Sequence, residues 1–307
     1  MRPIERIRYK TVISDSLRWD GFSLRGGDVV ISTPSKCGTT WMQMICGLLI
    51  FQTPKFDRPL AAISPWLDNV LRPRDQVVAE LEAQVHRRFI KTHTPLDGLP
   101  YDERVTYICV GRDPRDVAMS WDNHFENANR EKILTIREST VGIDDLAEFM
   151  PDGPFEPPGT ERDRFWSWVD QTATPATHLS GLESTLHHLS TFWDIRDQPN
   201  VVLLRYEDLL DDLEGQMRDL AGRLAVDVSE HRWPELVGAA TFDQMKARAS
   251  DLAPESSHDG FWKNTEQFFH QGTTGQWQRI VADDELARYV ARVTACAAPE
   301  LAAWVHG

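Results

Sequence analysis

The chain has 307 residues, 41% hydrophobic and 26% charged, an ordinary balance for a soluble enzyme and enough length for one large α/β domain. With 33 Lys and Arg against 47 Asp and Glu its net charge is -14, so no global field draws nucleic acid or an anionic membrane. Any anion site must be made locally, from a few cations and backbone N–H groups.

The opening decapeptide, MRPIERIRYK, is charged and lacks the apolar stretch of a signal peptide. The cleanest apolar run, 44–51, falls far short of the ~20 residues that a bilayer span needs. Cys37, Cys46, Cys109 and Cys296 have no metal-ligand spacing and fit free thiols in a reducing interior. The expectation is a cytoplasmic protein without a membrane span, bound metal or nucleic-acid partner.

Four short apolar runs, 28–33, 88–92, 105–110 and 201–204, read as buried parallel strands because they lack polar alternation. Helical patterns separate them. The first begins at Trp41, directly after the small-residue turn Pro34-Ser35-Lys36-Cys37-Gly38-Thr39-Thr40. The second opens on Pro114, whose missing N–H costs nothing at a helix start. After the fourth strand, Leu209, Leu210, Leu213, Met217, Leu220 and Leu224 recur at helical spacing, and 283–305 is helical apart from a break at Pro299. The stretch 127–161, with four prolines and two glycines near its end, reads as a substrate-covering loop inside a single domain spanning 1–307. Alternating β and α elements imply a P-loop-like, doubly wound parallel sheet flanked by helices, with its site at the carboxyl ends of the strands.

Three stretches carry candidate chemistry. In the first turn, backbone N–H groups converge at a helix start, where the dipole favours an anion. Gly38 permits close approach, Thr39 and Thr40 add hydroxyls, and Lys36 adds charge; a plain tight turn capped by threonine fits the same residues. In RRFIKTHTPLDGLP (87–100), Lys91 and His93 stand at a strand end, i and i+2, with His93 either a general base or a turn cap. In TYICVGRDPRDVAMSWDNHF (106–125), Arg112 and Ser120 suit one phosphate, while Asp113 and Asp116 suit the helix start. An ion pair of Arg112 with one of those aspartates is the alternative.

Together and in this order, these elements resemble the sulfotransferases that use 3′-phosphoadenosine 5′-phosphosulfate (PAPS), of the cytosolic type that modifies small alcohols, phenols and amines. Lys36-Cys37-Gly38-Thr39-Thr40-Trp41 is similar to the family's PKSGTTW loop for the 5′-phosphosulfate, with cysteine for serine. Lys91-Thr92-His93 looks like the element bearing the catalytic histidine, and Arg112 and Ser120 like the 3′-phosphate pair. Arg205-Tyr206-Glu207-Asp208 and Thr241-Phe242-Asp243-Gln244-Met245 extend the match, with Tyr206 near the adenosine and Phe242 and Trp41 as adenine-stacking partners. HQGTTGQW (270–277) stands where relatives carry Arg-Lys-Gly-x-x-Gly-x-Trp. His270, Gln271 and Gly272 therefore face the 3′-phosphate with less charge.

The resemblance implies in-line transfer of SO₃ from PAPS to an acceptor hydroxyl, leaving adenosine 3′,5′-bisphosphate (PAP) without a metal. In it His93 is the base, Lys36 steadies the leaving phosphate and Lys91 holds the sulfonate. The alternatives are a magnesium-dependent phosphotransferase, for which the lysine stands on the wrong side of Gly38, and a catalytically silent nucleotide binder. Aromatic residues in or beside 60–86, 122–165 and 255–270, namely Trp66, Trp121, Phe125, Phe155, Trp166, Trp168, Phe261 and Trp262, suit walls for a small hydrophobic acceptor. QRIVADDE (278–285) lacks the lysine and Thr-Val of the dimer segment in animal relatives, which leaves the oligomeric state open. Cys37, at a helix start beside Lys36, is expected to have a lowered pKa and to be open to oxidation.

Overall fold

The computed structural model describes residues 6–149, 159–253 and 260–307. Its centre is a four-stranded parallel sheet of β1 (Val29–Ser32), β2 (Phe89–Thr92), β3 (Thr106–Gly111) and β4 (Val201–Arg205), in the order β2-β1-β3-β4. Each expected strand is present within a residue or two of its bounds. Val30 pairs with both Ile90 and Tyr107, and Ile108 pairs with Val202.

The chain leaves β1 for β2 on one side and β3 for β4 on the other. The switch point therefore lies between β1 and β3, and a crevice opens beyond their carboxyl ends. Successive strand residues face opposite layers. Val30, Ile90, Tyr107 and Cys109 pack into one core with the helices Pro114–Asn127, Glu161–Asp170 and Leu182–Trp193. Val29, Ile31, Phe89, Ile108 and Val110 pack into the other, against Thr39–Phe51, Leu213–Arg223 and Trp233–Ala240. With both faces covered, the strands carry the near-continuous apolar runs seen in the sequence.

Two helices position the site. Thr39–Phe51 is buried on every side as far as Leu49, so it cannot rotate against the sheet. In Pro114–Asn127, Asp113 caps the start by accepting from the Arg115 amide at 2.9 Å and Pro114 occupies the first turn, as expected. Asp116 stands in the first turn, as expected, and does something more: its carboxylate accepts from the amides of Gly275 and Gln276 at 2.7 and 2.9 Å and ties down the distant segment 270–277.

The stretch 127–161 is not one loop. Asn129 accepts from the Lys132 amide and starts a helix, Arg130–Val141, which buries Ile136 and Arg137. The cap and the apolar spacing of Ile133 and Ile136 outweigh the turn residues further on. The proline-rich part, with Phe155, lies outside the described residues. The pattern 209–224 also divides, at Asp212, whose side chain caps Leu213–Arg223 through the Gly215 amide. Pro299 does not merely interrupt the last helical stretch; it opens the helix Pro299–His306. Among the described residues no helix is long and apolar enough to cross a membrane.

Candidate active site

The turn after β1 has an unusual backbone. Lys36 takes φ +71° and Gly38 φ +98°, two left-handed residues that reverse the chain into the helix Thr39–Phe51. Gly38 caps that helix without a side chain, which leaves first-turn N–H groups for a ligand. A Cβ on Gly38 would lie 3.0 Å from the Tyr206 ring, so this position needs glycine twice over, for conformation and for space. The Thr39 hydroxyl is tied to Thr33. Cys37 lies buried behind the turn, its amide on the Pro34 carbonyl at 3.3 Å.

Lys36 Nζ hydrogen-bonds His124 Nδ1 at 3.1 Å. Loss of hydration, then repulsion from Arg112 and Lys91, brings its pKa down to about 7. The neighbouring thiol goes the other way. Burial pushes Cys37 up to about 12 and outweighs the pull of Arg112 and Lys36, so the expected lowered pKa is overturned.

At the end of β2, Lys91 Nζ lies 4.5 Å from the centre of the Trp66 ring, and that ring meets His93 edge-on at 4.9 Å. His93 Nδ1 is 2.8 Å from the Thr33 carbonyl oxygen. A carbonyl only accepts, so Nδ1 carries the proton and Nε2 keeps its lone pair. Loss of hydration and the Lys91 charge hold the His93 pKa well below the ordinary value. The segment is braced from behind: buried Asp68 accepts from Thr92 and Thr94 hydroxyls at 2.7 and 2.5 Å. On the other side Ser32 Oγ donates to the Thr94 carbonyl at 2.6 Å and, its one proton thus used, accepts from His188 Nε2 at 3.0 Å. Sequence reasoning missed both braces, because neither Asp68 nor His188 is near His93 in the chain.

Beyond β3, Arg112 pairs with neither Asp113 nor Asp116; Asp113 is taken by Arg115 at 2.6 Å. Its guanidinium donates to the carbonyls of Lys36 and Thr273 at 3.2 and 3.1 Å and lies 4.3 Å over the Tyr206 ring. Its buried Nε has no partner among the described residues. Across the cleft the Phe242 ring covers Gly272, where an added Cβ would come within 2.3 Å of it and where φ is +65°. Trp41 meets Tyr206 edge-on at 5.2 Å. The His270 carbonyl accepts from Lys246 Nζ at 2.8 Å, a cation the sequence did not single out.

These groups line one cleft: Lys36, Gly38, Thr39, Thr40, Trp41, Lys91, His93, Arg112, Ser120, Tyr206, Phe242, His270, Gln271 and Gly272. Its walls enclose about 1460 Å³, counting the part open to solvent. Of the sequence candidates, Cys37 and Thr241 stand off the wall; Thr241 Oγ1 donates to the Gly238 carbonyl. Trp66, Trp121, Phe261 and Trp262 form its aromatic part, whereas Phe125, Trp166 and Trp168 pack with the core. His124 and Asn127, also on the wall, follow Ser120 at i+4 and i+7; that helical spacing was the available signal. Among the described residues no group of three or more His, Cys, Asp or Glu could hold a metal.

Residues 26–300 match the family model of the sulfotransferase domain. A glycolipid sulfotransferase of Mycobacterium bovis is 43% identical, over 98% of this chain and 94% of its own length. Sulfotransferase 1A1 of Rattus norvegicus is 26% identical, over 88% and 85%. Among solved structures, retinol dehydratase with androsterone and inactive cofactor PAP superposes with a TM-score of 0.68 at 21% identity, over 91% of this chain and 83% of that one. Mouse sulfotransferase SULT7A1 with PAP gives 0.61 at 16% identity, over 91% and 87%. The loop after β1, the sheet order and the family match over nearly the whole length agree: this chain belongs to the sulfotransferase family.

Proposed function

We propose that the cleft transfers a sulfonate group from PAPS to a hydroxyl of a hydrophobic acceptor, and that this acceptor is a glycolipid. The observation that carries the reading is the meeting of Lys36, Lys91, Arg112 and an unprotonated His93 Nε2 at one switch point. Likeness to the mycobacterial glycolipid sulfotransferases supports the acceptor class, and the aromatic wall of Trp66, Trp121, Phe261 and Trp262 suits an apolar or sugar-faced molecule.

In this reading the first-turn amides after Gly38 take the 5′-phosphate, Arg112 and Ser120 the 3′-phosphate, and Trp41, Tyr206 and Phe242 the adenosine. Amides, guanidinium and ammonium are set before the donor arrives, which is the preorganised electrostatics that usually supplies most of the rate. The acceptor oxygen attacks sulfur as its proton passes to His93 Nε2. The bond from sulfur to the bridging phosphate oxygen breaks, and Lys36 offsets the charge left on that oxygen. Lys91 sits beside His93 to hold the transferred group. The helix Arg130–Val141, which brings Ile133 to the cleft, covers the acceptor side.

The test is His93→Ala. General-base loss should lower kcat by about 10²–10⁴-fold while PAP binding stays within a factor of a few. Turnover near the wild-type rate would remove His93 from the reaction.

A further inference from the structure

His124 stands on the cleft wall yet no step above uses it. Its ring is set between Trp121 and Trp262, edge-on to both at 5.3 and 5.1 Å, so it has little freedom to turn. Its Nδ1 faces Lys36 Nζ at 3.1 Å. Beside an anionic donor Lys36 is an ammonium, which has protons to give and no lone pair. Nδ1 must then accept, and a neutral imidazole that accepts at Nδ1 carries its proton on Nε2. Loss of hydration, and after it repulsion from Lys36 and Lys91, keeps the ring neutral.

His93 is in the opposite state. Its proton is on Nδ1, committed to the Thr33 carbonyl, and its lone pair is on Nε2. The two imidazoles line one cleft, close enough for a charge on His93 to bear on His124. One offers an acceptor and the other a donor. Nε2 of His124 has no hydrogen-bond partner among the described residues. A monohydric acceptor fills the base and leaves this donor unpaired, which a dry aromatic site penalises.

We infer that His124 is a specificity-determining residue whose Nε2–H binds a second oxygen of the acceptor, next to the one attacked, so that the site selects a ring bearing neighbouring hydroxyls over a simple alcohol of the same apolar length. The inference rests on the transfer site proposed above. The reacting hydroxyl gives its proton to His93; the second oxygen keeps its own and only accepts from His124. Lys36 thereby has a further part, since its hydrogen bond selects the tautomer of His124.

The experiment compares kcat/KM for octyl β-glucopyranoside and 1-octanol, with PAPS as donor, in the wild type, His124→Phe and His124→Gln. The wild type should favour the glucoside. His124→Phe, which keeps a ring in the aromatic setting, should lower the glucoside-to-octanol ratio by roughly 10–100-fold, the loss expected when a buried donor is removed from its partner. His124→Gln, which retains an N–H, should keep most of the ratio. A ratio unmoved in His124→Phe, or a wild type that favours octanol, overturns the inference and leaves the transfer site standing. A wild type that binds PAP and sulfonates neither compound overturns both. Unimpaired turnover by His93→Ala strikes the transfer site and, with it, the inference that rests on it.

Discussion

Replacing Gly38 by alanine would perturb the donor loop at one atom. The backbone there has φ +98° and ψ 22°, which costs an L-residue about 1–2 kcal/mol. The new methyl would meet Tyr206 Cδ2 at 3.0 Å and Cε2 at 3.4 Å. Tyr206 has no room to retreat, with Trp41 edge-on at 5.2 Å and the Arg112 guanidinium 4.3 Å over its face. Forcing a methyl into such packing costs about 1–3 kcal/mol. The two effects together predict a loss of roughly 2–5 kcal/mol in unfolding free energy, read from urea denaturation with an unchanged slope. The turn would relieve itself by rotating the first-turn amides away from their common focus, so PAP affinity by calorimetry should fall at least about 10-fold, the equivalent of one strong charged hydrogen bond. A stability loss below about 0.5 kcal/mol, the range of an ordinary surface change, with PAP affinity intact, would refute the reasoning.

Three other expectations concern charge. Lys36, with its pKa near 7 in the free protein, should be raised by an anionic ligand, so PAP binding between pH 7.5 and 8 should take up a proton and weaken as pH rises above 7. Calorimetry in buffers of different ionisation enthalpy reads that uptake, and identical enthalpies in all buffers would contradict it. Restoring the family's cations with the double change His270→Arg and Gln271→Lys should raise the preference for PAP over AMP by about 10-fold and steepen its salt dependence. An unmoved preference would place the 3′-phosphate elsewhere. Cys37, pushed up to about 12, should stay unlabelled by a thiol reagent until the protein unfolds, and peroxide should leave turnover unchanged. Rapid labelling of the native protein at Cys37 would show that the turn opens in solution.

What the sequence determines by itself here is local. Short apolar runs bounded by turn residues read as strands covered on both faces, Pro114 behind Asp113 reads as a helix start, and a glycine-centred turn between a buried strand and a buried helix points amides outward. The order of the elements is enough for the sheet and for the place of the cleft. Hence Lys36, His93, Arg112 and Ser120 could be assigned to one cleft from the sequence. The tertiary structure alone decided everything that depends on what lies across space. Asp116, legible as a charge in the first turn of its helix, also anchors a segment about 160 residues away. Cys37 looked activated by its neighbours, but depth of burial outweighs two nearby cations. His124 carried no motif at all; it matters because Lys36 from another loop sets its tautomer and two tryptophans hold its plane. Sequence spacing fixes which face of an element a residue shares, whereas charge state and hydrogen-bond partners are set by groups that the chain brings together only when it folds.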